Sequence, residues 1–292
     1  DGHAGLLSAL QGVVALRVAI LQITGMNCVL IRLLLVLLSF CALGAEAKDV
    51  AAPRVPSGRP MVVAAAHPLA AQAGMEILQA GGDAVDAAIA VQAMLGLVEP
   101  QSSGLGGGAF MLRYDARTHR IDVYDGRETA PAAADEKLFL MPDGKPMPFR
   151  EAVPGGRSVG VPGAVRMLEA AHREHGQLPW ATLFQPAITL AEQGFKLSPR
   201  LHTQLKTETA LKNDAQARTY FYGADGEPLA VGTVVKNPAL ADVLRGIASR
   251  GSAALLSGPV AADIVKRVRG HATNPGRLTE ADLAGYTPKR RE

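Results

Sequence analysis

Cysteine is almost missing from this sequence, and its placement matters more than its number. The two cysteines, Cys28 and Cys41, both fall in an apolar stretch near the N-terminus. If that stretch is removed, disulfides, thiolate metal sites and cysteine nucleophiles are excluded together. Aromatic residues are scarce at 4%, whereas the 31 glycines favour close helix packing and special backbone turns. Long runs of like charge are lacking too: the net charge is only +3, and the densest basic cluster is the terminal Lys289-Arg290-Arg291. A nucleic-acid partner would need a clustered basic face, so none is expected. No Gly-x-Ser-x-Gly elbow occurs, and no Gly-Lys-Ser/Thr closes a phosphate loop.

What is present is a globular composition. Apolar residues make up 48% of the 292 and charged residues 20%, which supports a packed core in one large domain or two small ones.

Residues 26–47 read as a secretory signal segment. Arg32 supplies the positive n-region, Leu33 to Ala45 the apolar h-region, and Ala45-Glu46-Ala47 a small-x-small cleavage site. The apolar run is short for a membrane span. Met26 reads as the start, which leaves residues 1–25 as an upstream extension; residues 4–24 are also mostly apolar, so an uncleaved anchor is the competing reading. Export to a periplasm or the cell exterior is expected, with membrane contact only through the signal segment. Residues 48–292 form the mature part.

Downstream, the spacing predicts a buried strand over Met61–Ala66 and a helix from Leu69 to about Ala80 that begins at His67-Pro68. Asp83 caps a second, almost wholly apolar helix to about Val98. A loop, Glu99 to Gly108, leads into two strands, Ala109–Tyr114 and Arg120–Tyr124. Helices follow over Gly163–His175 and Leu178–Gln193, after Ser198-Pro199, and after Asn237-Pro238. Thr279-Glu-Ala-Asp282 resembles a capping box. No strand is expected after that last short helix, so a fragment or one subunit of a larger protein is expected. Helices flanking paired strands give an α/β class, α+β or layered.

Three features could carry chemistry. Gly104-x-Gly106-x-x-Ala109 fits a loose dinucleotide fingerprint, with Asp125 near the distance for a ribose ligand, but its context is wrong: a Pro-Ser loop precedes it and a hairpin follows. The glycines read as scaffold for tight turns. His172 and His175, with Glu174 between them, lie three apart on a helix with no third ligand at metal spacing, and read as a solvated face. Arg127 stands at a strand exit between Gly126 and Glu128, where a guanidinium could fork onto a carboxylate. On residues alone, a structural ion pair or a solvated arginine is the better reading of Arg127.

Several stretches together resemble the γ-glutamyltransferase (γ-glutamyltranspeptidase) family. They include Met61-Val-Val-Ala-Ala-Ala-His-Pro, Ile77-Leu-Gln-Ala-Gly-Gly-Asp-Ala-Val-Asp, Glu99-Pro-Gln-Ser-Ser-Gly-Leu-Gly-Gly-Gly-Ala-Phe, Asp125-Gly-Arg-Glu-Thr-Ala-Pro and Leu278-Thr-Glu-Ala-Asp-Leu-Ala-Gly-Tyr. The resemblance implies the N-terminal part of a large subunit, with the αββα sandwich of an N-terminal-nucleophile hydrolase, incomplete in this chain. It implies a precursor that cuts itself, and a small subunit whose N-terminal threonine attacks the γ-carbonyl of substrates such as glutathione, with its own amine as base. No cofactor and no metal are implied. Arg127 matches the arginine that grips the substrate α-carboxylate, and Glu128 to Pro131 would hold it in place. The self-cleavage segment and the threonine are absent here, so no catalytic residue is expected in this chain and the chain alone is expected to be inactive. The same resemblance admits a β-lactam side-chain acylase, or a truncated chain with a binding or structural role.

Overall fold

The computed structural model describes residues 61–291. The expected upstream extension (1–25) and signal segment (26–47) lie outside the described residues. Among the described residues, no helix is long and apolar enough to cross a membrane.

Helix α1 (Pro68–Gln79) starts where proline loses nothing, because the first-turn N–H has no partner within the helix. Its cap is His67, whose Nδ1 accepts from the Leu69 N–H at 3.2 Å. Ala70, Ala73, Gly74 and Ile77 form its buried face, and Ala80 is the exposed C-cap. Helix α2 (Ala84–Val98) buries Ile89, Ala90, Ala93, Leu97 and Val98 and packs against α1. Burying a side chain such as Ile89 or Leu97 contributes about 1.5–3 kcal/mol, so this central helix is a main source of stability.

Asp83 caps α2 through a reciprocal box in which Asp86 accepts back from the Asp83 N–H at 3.1 Å. The same Asp86 oxygen takes the N–H groups of Gln177 and Leu178 at 2.9 and 3.0 Å. One fully buried carboxylate therefore ties the start of α2 to a turn about ninety positions away.

Strands β1 (Ala109–Asp115) and β2 (Arg120–Gly126) form the expected hairpin, with Ala109 opposite Gly126 and Asp115 opposite Arg120. After the one-turn helix α3 (Phe149–Ala152), helix α4 (Ala164–His175) lies across β2. Tyr124 of β2 is buried there, and its hydroxyl donates to Glu174 at 2.9 Å. The opposite face of the sheet presents Phe110, Leu112, Tyr114 and Ile121, each more than half exposed. In a layered αββα sandwich this is the face that meets a second sheet.

The rest is largely helical. A 3-10 turn (Trp180–Phe184) leads into α5 (Gln185–Gln193), followed by β3 (Phe195–Lys196), α6 (Pro199–Thr207) and α7 (Ala215–Phe221). Then come β4 (Val234–Val235), α8 (Pro238–Arg250), α9 (Ala253–Leu256), α10 (Gly258–Arg269), α11 (Glu280–Gly285) and β5 (Lys289–Arg291). The caps expected at Ser198, Asn237 and Thr279 all form, and the Thr279–Asp282 box is reciprocal.

Four expectations need correction. Met61–Ala66 is not a strand: Val63 and Ala65 turn inward at the strand period, but no described segment pairs with them. Leu178–Gln193 is not one helix, because Pro186 in the first turn of α5 cannot donate a backbone hydrogen bond and the preceding turn tightens to 3-10 geometry. The chain does form a strand after its last helix: β5 pairs antiparallel with β2, Asp125 opposite Lys289 and Val123 opposite Arg291. Its two arginines are neutralised across the sheet and beside it, Arg290 by Asp122 and Glu174 and Arg291 by Asp125. Finally, His172 and His175 are not solvated, with side chains only 16% and 18% exposed. His172 packs edge-on against Trp180 and His175 edge-on against Tyr124.

Candidate functional site

The glycine loop and the end of β2 meet at one cleft. It encloses about 470 Å³ and is lined by Gln92, Pro100, Ser102, Ser103, Glu128 and the glycines from Gly104 to Gly108 other than the intervening Leu105. The loop is braced from below. Gln92 Nε2 donates to Ser103 Oγ at 3.3 Å, and Arg200 donates both to buried Glu99 and to Ser102 Oγ, the latter at 3.1 Å.

Glu128 joins the loop to the strand exit. Its Oε1 accepts the Gly108 N–H at 2.7 Å. A Cβ on Gly108 would stand 2.5 Å from Glu128 Oε2 and 2.7 Å from its backbone nitrogen, so glycine here permits a close backbone approach. The Gly107 carbonyl accepts from the N–H groups of Gly163 and Ala164, both at 3.1 Å, which fixes the loop against the start of α4. The strand that should precede a dinucleotide loop is not there, and β1 rather than a helix follows it. The scaffold reading of these glycines fits that geometry.

Arg127 sits one residue before Glu128, outside the residues that line the cleft. Its side chain is 70% exposed, and its Nε lies 3.1 Å from Glu128 Oε2. An ion pair this exposed contributes only about 0–1 kcal/mol. It nevertheless orients the group, because the Nε edge is committed to Glu128. The Nη1 and Nη2 edge makes no ion pair or hydrogen bond among the described residues, and it is the edge that presents two parallel N–H bonds to a carboxylate. Of the residues expected to hold Arg127, Glu128 does so directly. Thr129 does so at one remove, by a two-way bridge to Val161 whose bonds measure 3.4 and 2.8 Å.

The backbone at Arg127 is gripped on both sides. Its N–H donates to Asp125 Oδ1 at 2.9 Å, and its carbonyl accepts from the Tyr286 hydroxyl at 2.7 Å. Asp125 gives its other oxygen to Arg291, whose Nε and Nη2 stand 2.9 and 2.6 Å away. These bonds from Arg127 and Arg291 hold the Asp125 carboxyl below the usual aspartate range. Burial, with Asp125 and Glu128 nearby, pushes the Tyr286 hydroxyl upward, so it remains a neutral donor. Tyr286 and Arg291 were not singled out in the sequence, where nothing local connects them to Arg127.

The family model described as gamma-glutamyltranspeptidase matches residues 70–292. The glutathione hydrolase proenzyme of Bacillus subtilis is 38% identical over 233 residues, covering 80% of this chain and 39% of that protein. Glutathione hydrolase 5 proenzyme of Rattus norvegicus is 37% identical over 233 residues, again covering 39% of the relative. The chain thus spans about two-fifths of the length of these relatives. Among solved structures, the gamma-glutamyltranspeptidase of Helicobacter pylori superposes with a TM-score of 0.76 at 30% identity, covering 82% of this chain and 67% of that one. A cephalosporin acylase from Bacillus halodurans superposes at 0.65 and 30% identity, covering 84% of this chain and 46% of its own. The mixed α/β fold described above is the fold shared with these structures.

Proposed function

The chain belongs to the gamma-glutamyltranspeptidase family, and from that premise we propose that the protein carrying it transfers the γ-glutamyl group of glutathione-like donors to amino acids, peptides or water. The observation that supports this reading is the exposed Nη edge of Arg127 beside a polar cleft, oriented by Glu128. A γ-glutamyl donor carries a free α-carboxylate on the acyl side, and a forked guanidinium is the group that recognises it in a fixed orientation.

In this account the chain binds and orients, and the covalent step belongs to a threonine outside it. The threonine oxygen adds to the γ-carbonyl carbon, the amide C–N bond breaks, and the leaving amine takes the proton released by the hydroxyl. Water or an acceptor amine then displaces the threonine oxygen and restores it. Donors aimed at the developing oxyanion would supply most of the rate enhancement. Holding the donor by its carboxylate end turns a bimolecular encounter into a positioned one. The partner in this scheme is a small subunit from the same precursor, and the protein is exported, the route read from residues 26–47. Proenzyme names among the relatives support the first of these points.

A second reading keeps the fold and changes the donor. The superposition on a cephalosporin acylase supports it, and Arg127 does not separate the two because both donors carry carboxylates. Turnover of the complete gene product on a γ-glutamyl anilide and on a glutaryl-cephalosporin separates them. The γ-glutamyl account expects the anilide to be cleaved with the far higher kcat/KM; the reverse order would establish the acylase.

A further inference from the structure

From the bonds that converge on the Arg127 backbone, we infer that Tyr286 is a positioning residue for the carboxylate-binding arginine, an inference that rests on the donor-binding reading above. Tyr286 follows α11 and is 5% exposed. Its hydroxyl makes a single bond among the described residues, to the Arg127 carbonyl at 2.7 Å. Space is reserved for it: a Cβ on Gly163 would collide with the Tyr286 hydroxyl, so glycine at the start of α4 leaves room for the ring to pass.

The tyrosine is itself held. Arg166 of α4 donates to the carbonyl of Tyr286 at 3.0 Å and to that of Ala284 at 3.2 Å. Asp282 of α11 accepts from the Ala132 N–H at 2.9 Å, which fixes the segment beyond Arg127 to the same helix. Asp125, secured by Arg291 of β5, takes the Arg127 N–H. The backbone of Arg127 is therefore fixed at its N–H from β5 and at its carbonyl from α11. Its side chain, by contrast, is mostly exposed and rests on one weak ion pair. Glu128 sets the direction of the guanidinium, and the backbone sets the point from which its fork reaches the donor. Tyr286 is not among the residues that line the cleft, and its hydroxyl bonds to the Arg127 carbonyl, so its effect passes through Arg127.

The test uses the complete gene product and two donors, a γ-glutamyl anilide and the same anilide without its α-carboxylate. Tyr286→Phe keeps the ring and removes only the hydroxyl. Losing one such bond is expected to raise KM for the γ-glutamyl donor about two- to tenfold, with kcat within about twofold. KM for the decarboxylated donor should not move, and in an Arg127→Ala background Tyr286→Phe should add nothing. A purely structural tyrosine would instead lower the melting temperature and impair both donors alike, which overturns the inference. If Tyr286→Phe does not accumulate as folded protein, that outcome also counts as the structural role. Unchanged KM in Tyr286→Phe, with preference for the carboxylated donor lost in Arg127→Ala, refutes the inference and leaves the donor-binding reading standing. Preference retained in Arg127→Ala refutes that reading itself.

Discussion

The backbone N–H of Gly108 donates to Glu128 at 2.7 Å, across a gap too narrow for any side chain at position 108. That bond turns a surface glutamate into a fixed post, and Arg127 leans on its other oxygen. The glycine-rich loop therefore makes room for Glu128 beside Arg127.

Gly108→Ala is accordingly expected to displace Glu128 and cost about 1–3 kcal/mol, the scale of overpacking at a tight contact. Urea unfolding measures it. A stability change within about 0.5 kcal/mol, the range of ordinary surface substitutions, would mean that the gap closes without strain.

Asp86 gives a second prediction. Asp86→Ala removes the acceptor shared by the N–H groups of Asp83, Gln177 and Leu178 at a fully buried position. These donors are only partly buried, so leaving them without their acceptor is expected to cost about 1–3 kcal/mol in all, read as a lower unfolding midpoint. Asp86→Asn keeps one carbonyl acceptor in place and should recover part of that loss.

Tyr124 sets a base-side limit. Burial first, and then its bond to Glu174, push its hydroxyl up to about 12, so the fold favours the neutral phenol. A pKa raised by folding contributes stability that is present in full below the unfolded value of about 10 and lost as pH rises through the folded value. Stability measured against pH should therefore fall between about 10 and 12, and Tyr124→Phe should flatten that decline. A decline of the same size in the variant would assign it to other groups.

Much of the fold was legible because it is locally determined. Asp83, Ser198, Asn237 and Thr279 cap helices by bonds to residues two or three positions on, and such bonds can be read from short motifs. The hairpin was legible as two short strand-like runs joined by a polar turn. β5 was not, because a strand of three charged residues has no apolar period and forms only against the acids of β2 and α4. The burial of His172 and His175 was hidden for a similar reason: their partners, Trp180 and Tyr124, are set by how α4 folds onto the sheet. At the site, Arg127 was visible as a strand-exit arginine, and its support by Glu128 was what the family resemblance implied. Tyr286 and Arg291 could not be found this way, since their bonds to the Arg127 carbonyl and to Asp125 span 159 and 166 positions. Contacts of that range depend on the completed packing.

The central claim is that the Arg127 guanidinium reads the α-carboxylate of the donor. It is tested most directly by the ratio of kcat/KM for a γ-glutamyl anilide to that for the same anilide lacking its α-carboxylate, measured in the complete gene product and in Arg127→Ala. The wild-type ratio should favour the carboxylated donor and fall in the variant by the equivalent of roughly 2–5 kcal/mol, the scale for losing one partner of a desolvated charge pair. Arg127→Lys should lie between, because a point charge replaces the fork only in part. An unchanged ratio in Arg127→Ala would contradict the account.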